Sequence, residues 1–146
     1  MTLFIHFLAA AVGTVAFALI FDVPYRYYPL CALIGGLGFF LVELLMELGL
    51  SQTEATFLAA MVVTLTSRVS AVWQRCPVTV FLISGVIPLV PGAGVYWTAY
   101  YLIMNNTSEA LTRGFTAVRV AVAIVLGIVL MLEIPNRVFA GKTKAK

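Results

Sequence analysis

Residues 78–104 read VTVFLISGVIPLVPGAGVYWTAYYLIM, an apolar run of 27 residues interrupted in its middle by Pro88-Leu89-Val90-Pro91-Gly92-Ala93-Gly94. As one straight helix the run would be about 40 Å long, more than the roughly 30 Å hydrocarbon core of a bilayer. Its centre falls at Pro91, so the interruption is expected near the membrane midplane. Backbone that leaves the helix at such depth is tolerated only where protein covers it or where it lines a wet cavity, because unpaired amides facing lipid are costly.

Pro88 and Pro91 have no N–H and disrupt the helical ladder, while Gly92 and Gly94 permit positive φ and leave room for a ligand against the backbone. A second half-helix is expected to begin near Ala93, with its first amides and positive dipole end directed into the membrane centre, which suits a carboxylate. Tyr96 and Thr98, within about a turn and a half, add hydroxyls that a substrate can use. The plainer alternative is a proline kink in a packed helix. Two prolines and two glycines in seven residues exceed what a kink needs.

The rest of the chain has the composition of a membrane protein: of 146 residues, 62% are hydrophobic and 10% charged. Soluble domains are about half apolar and a quarter charged. Five spans account for the length, at residues 2–21, 30–48, 53–73, 78–104 (broken near 88–94) and 115–134, in one integral membrane domain covering 1–146. The fold class is therefore all-α, a polytopic helix bundle. Pro24 and Pro29 bracket an interfacial turn carrying Tyr25, Tyr27 and Tyr28. Ser51 with Glu54 is a capping-box pattern opening span three, and residues 105–108 form a polar turn and N-cap before span five. The first run lacks the basic n-region of a signal peptide and reads as a retained span, despite the small residues Ala16 and Ala18. No internal repeat or low-complexity linker is evident.

The formal charge of +3 is not a nucleic-acid signal, because Arg137, Lys142, Lys144 and Lys146 all lie in the last ten residues. A basic tail, 135–146, after the last span orients the chain. With five spans the N-terminus lies outside and the C-terminus inside the cytoplasmic membrane; a re-entrant hairpin at the break would reverse the N-terminus. Cys31, Cys76 and the single His6 make no metal-ligand set, and no cofactor is expected.

Four features inside the spans carry further expectations. Gly35, Gly36 and Gly38 form a helix-packing face, with room for a higher oligomer. Arg68, near the end of span three with Thr64, Thr66 and Ser67 beside it, either snorkels to the interface or meets a substrate carboxylate. Glu43 and Glu47 share one helix face, and the deeper Glu43 is the better candidate for a coupling ion, against an ordinary interfacial acidic face. Arg119 is expected to snorkel outward, and Asp22 and Arg26 to cap the inner turn or touch a partner.

The stretch Ile87-Pro88-Leu89-Val90-Pro91-Gly92-Ala93-Gly94-Val95-Tyr96, together with Phe21-Asp22-Val23-Pro24-Tyr25-Arg26 and Arg75-Cys76-Pro77, resembles the threonine/serine exporter family. The similarity is to its short YjjB-type subunit, which looks like the C-terminal half of the full-length exporters, and it covers nearly the whole chain. The resemblance implies export of small hydroxy amino acids, or of dicarboxylates such as succinate in some relatives. It also implies an ion gradient and a larger membrane subunit carrying the other half.

The leading expectation is thus a subunit of a secondary transporter for small carboxylate-bearing solutes, with Pro88, Pro91, Gly92, Ala93, Gly94, Tyr96, Thr98 and Arg68 as candidate substrate residues and Glu43 for ion coupling. The alternative is a non-transporting membrane scaffold in which the glycines and the proline break serve packing alone. An enzyme is not expected, since the sequence shows no nucleophile motif and no paired intramembrane acid and histidine.

Overall fold

Helix ends fall where the sequence supplies prolines, caps and left-handed residues. The computed structural model describes residues 2–134, which form six α-helices and no strand. The basic tail, 135–146, lies outside the described residues. Helix α1 is Thr2–Ile20; a 3-10 turn, Tyr25–Tyr27, leads into α2, Tyr28–Glu47, whose first turn accommodates Pro29. Helix α3, Gln52–Gln74, opens on the expected capping box: the Ser51 hydroxyl accepts from the Glu54 amide, and the Ser51 amide donates to the Glu54 carboxylate at 2.9 Å. It closes on Arg75 in the left-handed region (φ 52), with the Cys76 amide returning to the Ala71 carbonyl at 3.1 Å. Asp22 (φ 52), Gly49 (φ 95) and Asn105 (φ 55) adopt left-handed conformations after α1, α2 and α5.

The fourth apolar run is two helices. Helix α4, Thr79–Val86, passes into a 3-10 turn, Ile87–Leu89, and α5, Gly92–Ile103, leaves at 45° to it. Helix α6, Thr107–Glu133, is 27 residues long. It starts at the N-cap expected within 105–108, where the Asn106 side chain accepts from the Glu109 amide at 3.3 Å, and so before the span expected at 115–134. Those added residues, TSEALTRG, are too polar to read as membrane span, but nothing in them stops a helix. Helices α1, α2, α3 and α6 are each long and apolar enough to cross a bilayer, and the bent α4–α5 pair makes a fifth if counted as one broken span.

Helices α1 and α2 are antiparallel, and α2 lies at the centre against α1, α3 and α4. Its glycines set the spacing: a Cβ at Gly35 would fall 2.0 Å from Thr14 Oγ1, one at Gly36 2.8 Å from the Phe7 ring, and one at Gly38 2.5 Å from Val63. Helix α4 is held equally close, since a Cβ on Gly85 would lie 2.8 Å from Ile34. In lipid there is little hydrophobic gain from joining helices, so such close van der Waals contact is a main source of association. At the turn end of the bundle the Tyr27 ring meets Phe81 edge-on at 5.4 Å, and both are buried. The buried hydroxyls Thr14, Thr64 and Ser84 donate to carbonyls four residues back in their own helices, which removes most of the penalty of burying them.

Helix α6 runs parallel to α3, and a Cβ on Gly127 would lie 2.8 Å from the Phe57 carbonyl oxygen. Helix α5 has no buried residue and packs chiefly on the first half of α6.

Gly35→Ala is expected to push α1 from α2 and destabilise the fold by about 1–3 kcal/mol, the usual range for overpacking. Gly13→Ala, where nothing lies within 4 Å, should be neutral or slightly stabilising. Thermal unfolding of the two variants in the same detergent checks the contrast.

Candidate functional site

The break needs fewer partners than its length suggests. Between Val86 and Gly92, two of the residues are prolines without N–H, the Val90 amide bonds the Ile87 carbonyl at 3.1 Å, and the Gly92 amide bonds the Val90 carbonyl at 2.7 Å. Pro91, at φ −75 and ψ 55, is the residue before α5 and supplies no side-chain cap, so with the Gly92 amide already paired the Ala93 and Gly94 amides are left open to other acceptors. Gly92 and Gly94 do not use positive φ: among the described residues Gly49 is the glycine that does. Gly94 is required instead by size, since its Cβ would lie 3.1 Å from that of Ala117 on α6, whereas a Cβ on Gly92 would meet nothing within 4 Å.

Two cavities flank the break. Pro88 and Ile87 line one of about 370 Å³ with His6, Ala9, Ala10, Gly13 and Phe17 of α1 and Phe39 of α2. Pro91, Ala93 and Gly94 line a second, of about 520 Å³, with Trp97 of α5, Gln52 of α3, and Glu109, Thr112, Arg113, Thr116, Ala117 and Val120 of α6. The first is almost wholly apolar. In the second, a guanidinium, a carboxylate, an amide and two hydroxyls share one groove with the open helix start, so a small zwitterion can find partners for both its charges. Relative to α3, the break runs from its middle, where Leu89 packs against Gly38 and Val63, toward its Gln52 end. The start of α5 therefore faces a groove toward the end of α3 and not its centre, because 3-10 and extended residues advance further per residue than α-helical ones.

The other sequence-derived candidates separate. Thr98 belongs to the α5–α6 contact: its hydroxyl donates to the Gly94 carbonyl at 2.7 Å, and its methyl would meet a Cβ on Gly114 at 3.2 Å. Tyr96 is exposed and stands edge-on to Trp97 at 5.4 Å. Arg68 is 6% exposed and lies at the opposite end of the bundle from the α5–α6 groove. Its guanidinium donates to the Met131 carbonyl and, at 2.6 Å, to the Ile134 carbonyl, so it caps the last turn of α6. Arg119 is exposed and lies over the Phe115 ring at 5.2 Å. It lines a groove of about 710 Å³ between α3 and α6, whose walls are mostly apolar and suit lipid or protein better than a polar solute.

Two features were missed. The absence of a paired acid and histidine, expected from sequence, is overturned: His6 Nδ1 lies 2.5 Å from Glu43 Oε1, bridging α1 and α2. Thirty-seven residues separate them, so only the antiparallel packing of the two helices brings them together. The polar wall of the second cavity was legible, because Glu109, Thr112, Arg113 and Thr116 fall at helical spacing on one face and Glu109 pairs with Arg113 at 3.8 Å.

The profile of the family described as threonine/serine exporter, ThrE, matches residues 6–134. The chain belongs to that family. The match takes in the entire break, both cavities, and the His6–Glu43 pair of this threonine/serine exporter family member. No solved structure matches the chain.

If Arg68 serves the fold, Arg68→Ala should lower stability by about 1.5–3 kcal/mol, the worth of charged hydrogen bonds lost from a buried site. A lower unfolding temperature in detergent is the expected result; an unchanged one would return Arg68 to the list of solute residues.

Proposed function

We propose that the chain is one half of a secondary transporter that exports small carboxylate-bearing solutes, threonine and serine first and dicarboxylates such as succinate in second place. The observation that carries this reading is the α5–α6 groove: an uncapped helix start at Ala93–Gly94 beside Arg113, Glu109, Thr112 and Thr116. Helix amides and the Arg113 guanidinium suit the carboxylate. Glu109 suits the ammonium of an amino acid, and the threonine and Gln52 side chains suit its hydroxyl. A dicarboxylate would lose the Glu109 contact and meet a like charge there, which ranks it below the amino acids.

A larger membrane subunit of the same family supplies the other half. Helix α5, which buries no residue of its own and presents Tyr96, Trp97 and Tyr100, is the face best suited to receive it. The chain sits in the cytoplasmic membrane with its N-terminus outside. The α5–α6 groove is then on the outer half and the Arg68 end on the inner half. Alternating access arises from movement about the break, where α5 is joined to the bundle by residues 90–91 and by α6.

In cells without their own exporters, co-expression with the larger partner should give efflux of preloaded threonine or serine that neither chain gives alone. Gly94→Leu, which drives a side chain into Ala117, should reduce that efflux more than ten-fold while the complex still purifies intact, and Gly92→Ala should leave it within about two-fold. A stable complex with no efflux of threonine, serine or succinate would instead favour a scaffold.

A further inference from the structure

On the other side of the break, away from the groove, lies a second polar cluster. His6 and Glu43 form an acid–imidazole pair at 2.5 Å between two helices that are otherwise apolar at that level, with the imidazole edge-on to Phe39 at 6.4 Å. The Glu43 side chain is 22% exposed, and its second oxygen, Oε2, is buried without a hydrogen-bond partner. His6, half exposed, opens onto the cavity whose far wall is Ile87 and Pro88 of the break. We propose that the His6–Glu43 pair is the site at which this chain binds and releases the proton that drives solute movement. The inference rests on the transporter reading above.

The chemistry is a one-proton change. With neutral imidazole donating its Nδ1–H to the carboxylate, the pair carries a charge of −1; a proton taken from water on the cavity side gives imidazolium and carboxylate, net zero. An uncompensated charge in an apolar setting is expensive, and a buried carboxylate oxygen with no donor adds to the cost. The uncharged pair therefore favours a closed, dry cavity against Pro88, and the charged pair favours a wet, open one. Proton occupancy is thus tied to the packing of α1 on the 3-10 turn from which α5 departs.

Other titratable groups leave the pair to itself. Helix α4 and the Ile87–Leu89 turn carry no ionisable side chain, and α1 carries none besides His6. On α2, Glu47 is exposed one turn toward the helix end, and Cys31 and Tyr28 lie at the opposite end. On α3, Glu54 is held in the capping box with Ser51, and Arg68 is bonded to the end of α6.

The test uses vesicles reconstituted with the complex of this chain and its larger partner, loaded with radiolabelled threonine. Two modes are read: net efflux driven by an imposed pH gradient, acid on the acceptor side, and threonine–threonine exchange without a gradient. Glu43→Gln and His6→Gln are each expected to lose gradient-driven efflux at least ten-fold while exchange stays within two-fold, and Glu47→Gln to change neither. Gradient-driven efflux that survives in Glu43→Gln overturns the proposal and leaves the transporter reading intact. Loss of both modes in Glu43→Gln also overturns it, since the pair would then serve the fold. If the wild-type complex shows neither mode with threonine, serine or succinate, the transporter reading itself fails and takes the proton site with it.

Discussion

A bilayer offers no water to the amides released where a helix stops, and that constraint shapes everything around residues 87–92. The chain meets it by removing donors as much as by pairing them. Pro88 and Pro91 have none to satisfy, and the Val90 and Gly92 amides close back on carbonyls within the break. What remains is the open start of α5, and the structure places polar side chains of α6 beside it. Non-helical backbone so arranged can persist because it lines a groove within the protein.

The glycines of α2 hold the break in position. With α1, α3 and α4 drawn in to van der Waals contact at Gly35, Gly36, Gly38 and Gly85, the 3-10 turn is seated by Leu89 on Gly38 and Val63. Helix α5 is treated oppositely, without a buried residue. It is held to the bundle chiefly through α6 and through the short break at its start. Arg68 stiffens the far end, tying the last carbonyls of α6 to α3. The same helix that forms the groove wall is thereby anchored to the bundle some 20 residues away, about 30 Å along the axis.

Much of this was legible from local chemistry. Apolar run lengths, Ser51 with Glu54, the proline turn before α2 and the motif at 88–94 announced their elements, because each acts through neighbours within a turn or two. The cap within 105–108 was legible too, but the helical run of α6 over 107–114 was not, since hydropathy reports burial in lipid and not helix formation. The role of Arg68 and the His6–Glu43 pair were hidden for another reason: each depends on partners 37 to 66 residues away that only the packing of helices selects. Candidate solute residues divided on the same line, with Pro91, Ala93 and Gly94 gathered in one groove and Arg68 at the other end of the bundle.

The claim on which the account turns is that water and solute reach the start of α5. Thiol labelling tests it most directly, in the complex in its own membrane, with Cys31 and Cys76 replaced by serine and a single cysteine introduced by Ala93→Cys. The account predicts reaction with a membrane-impermeant thiol reagent, slowed by saturating threonine or serine, while Leu89→Cys, at a position 5% exposed, stays unreactive. An Ala93→Cys thiol that is inert, or that reacts at the same rate with and without solute, would contradict it.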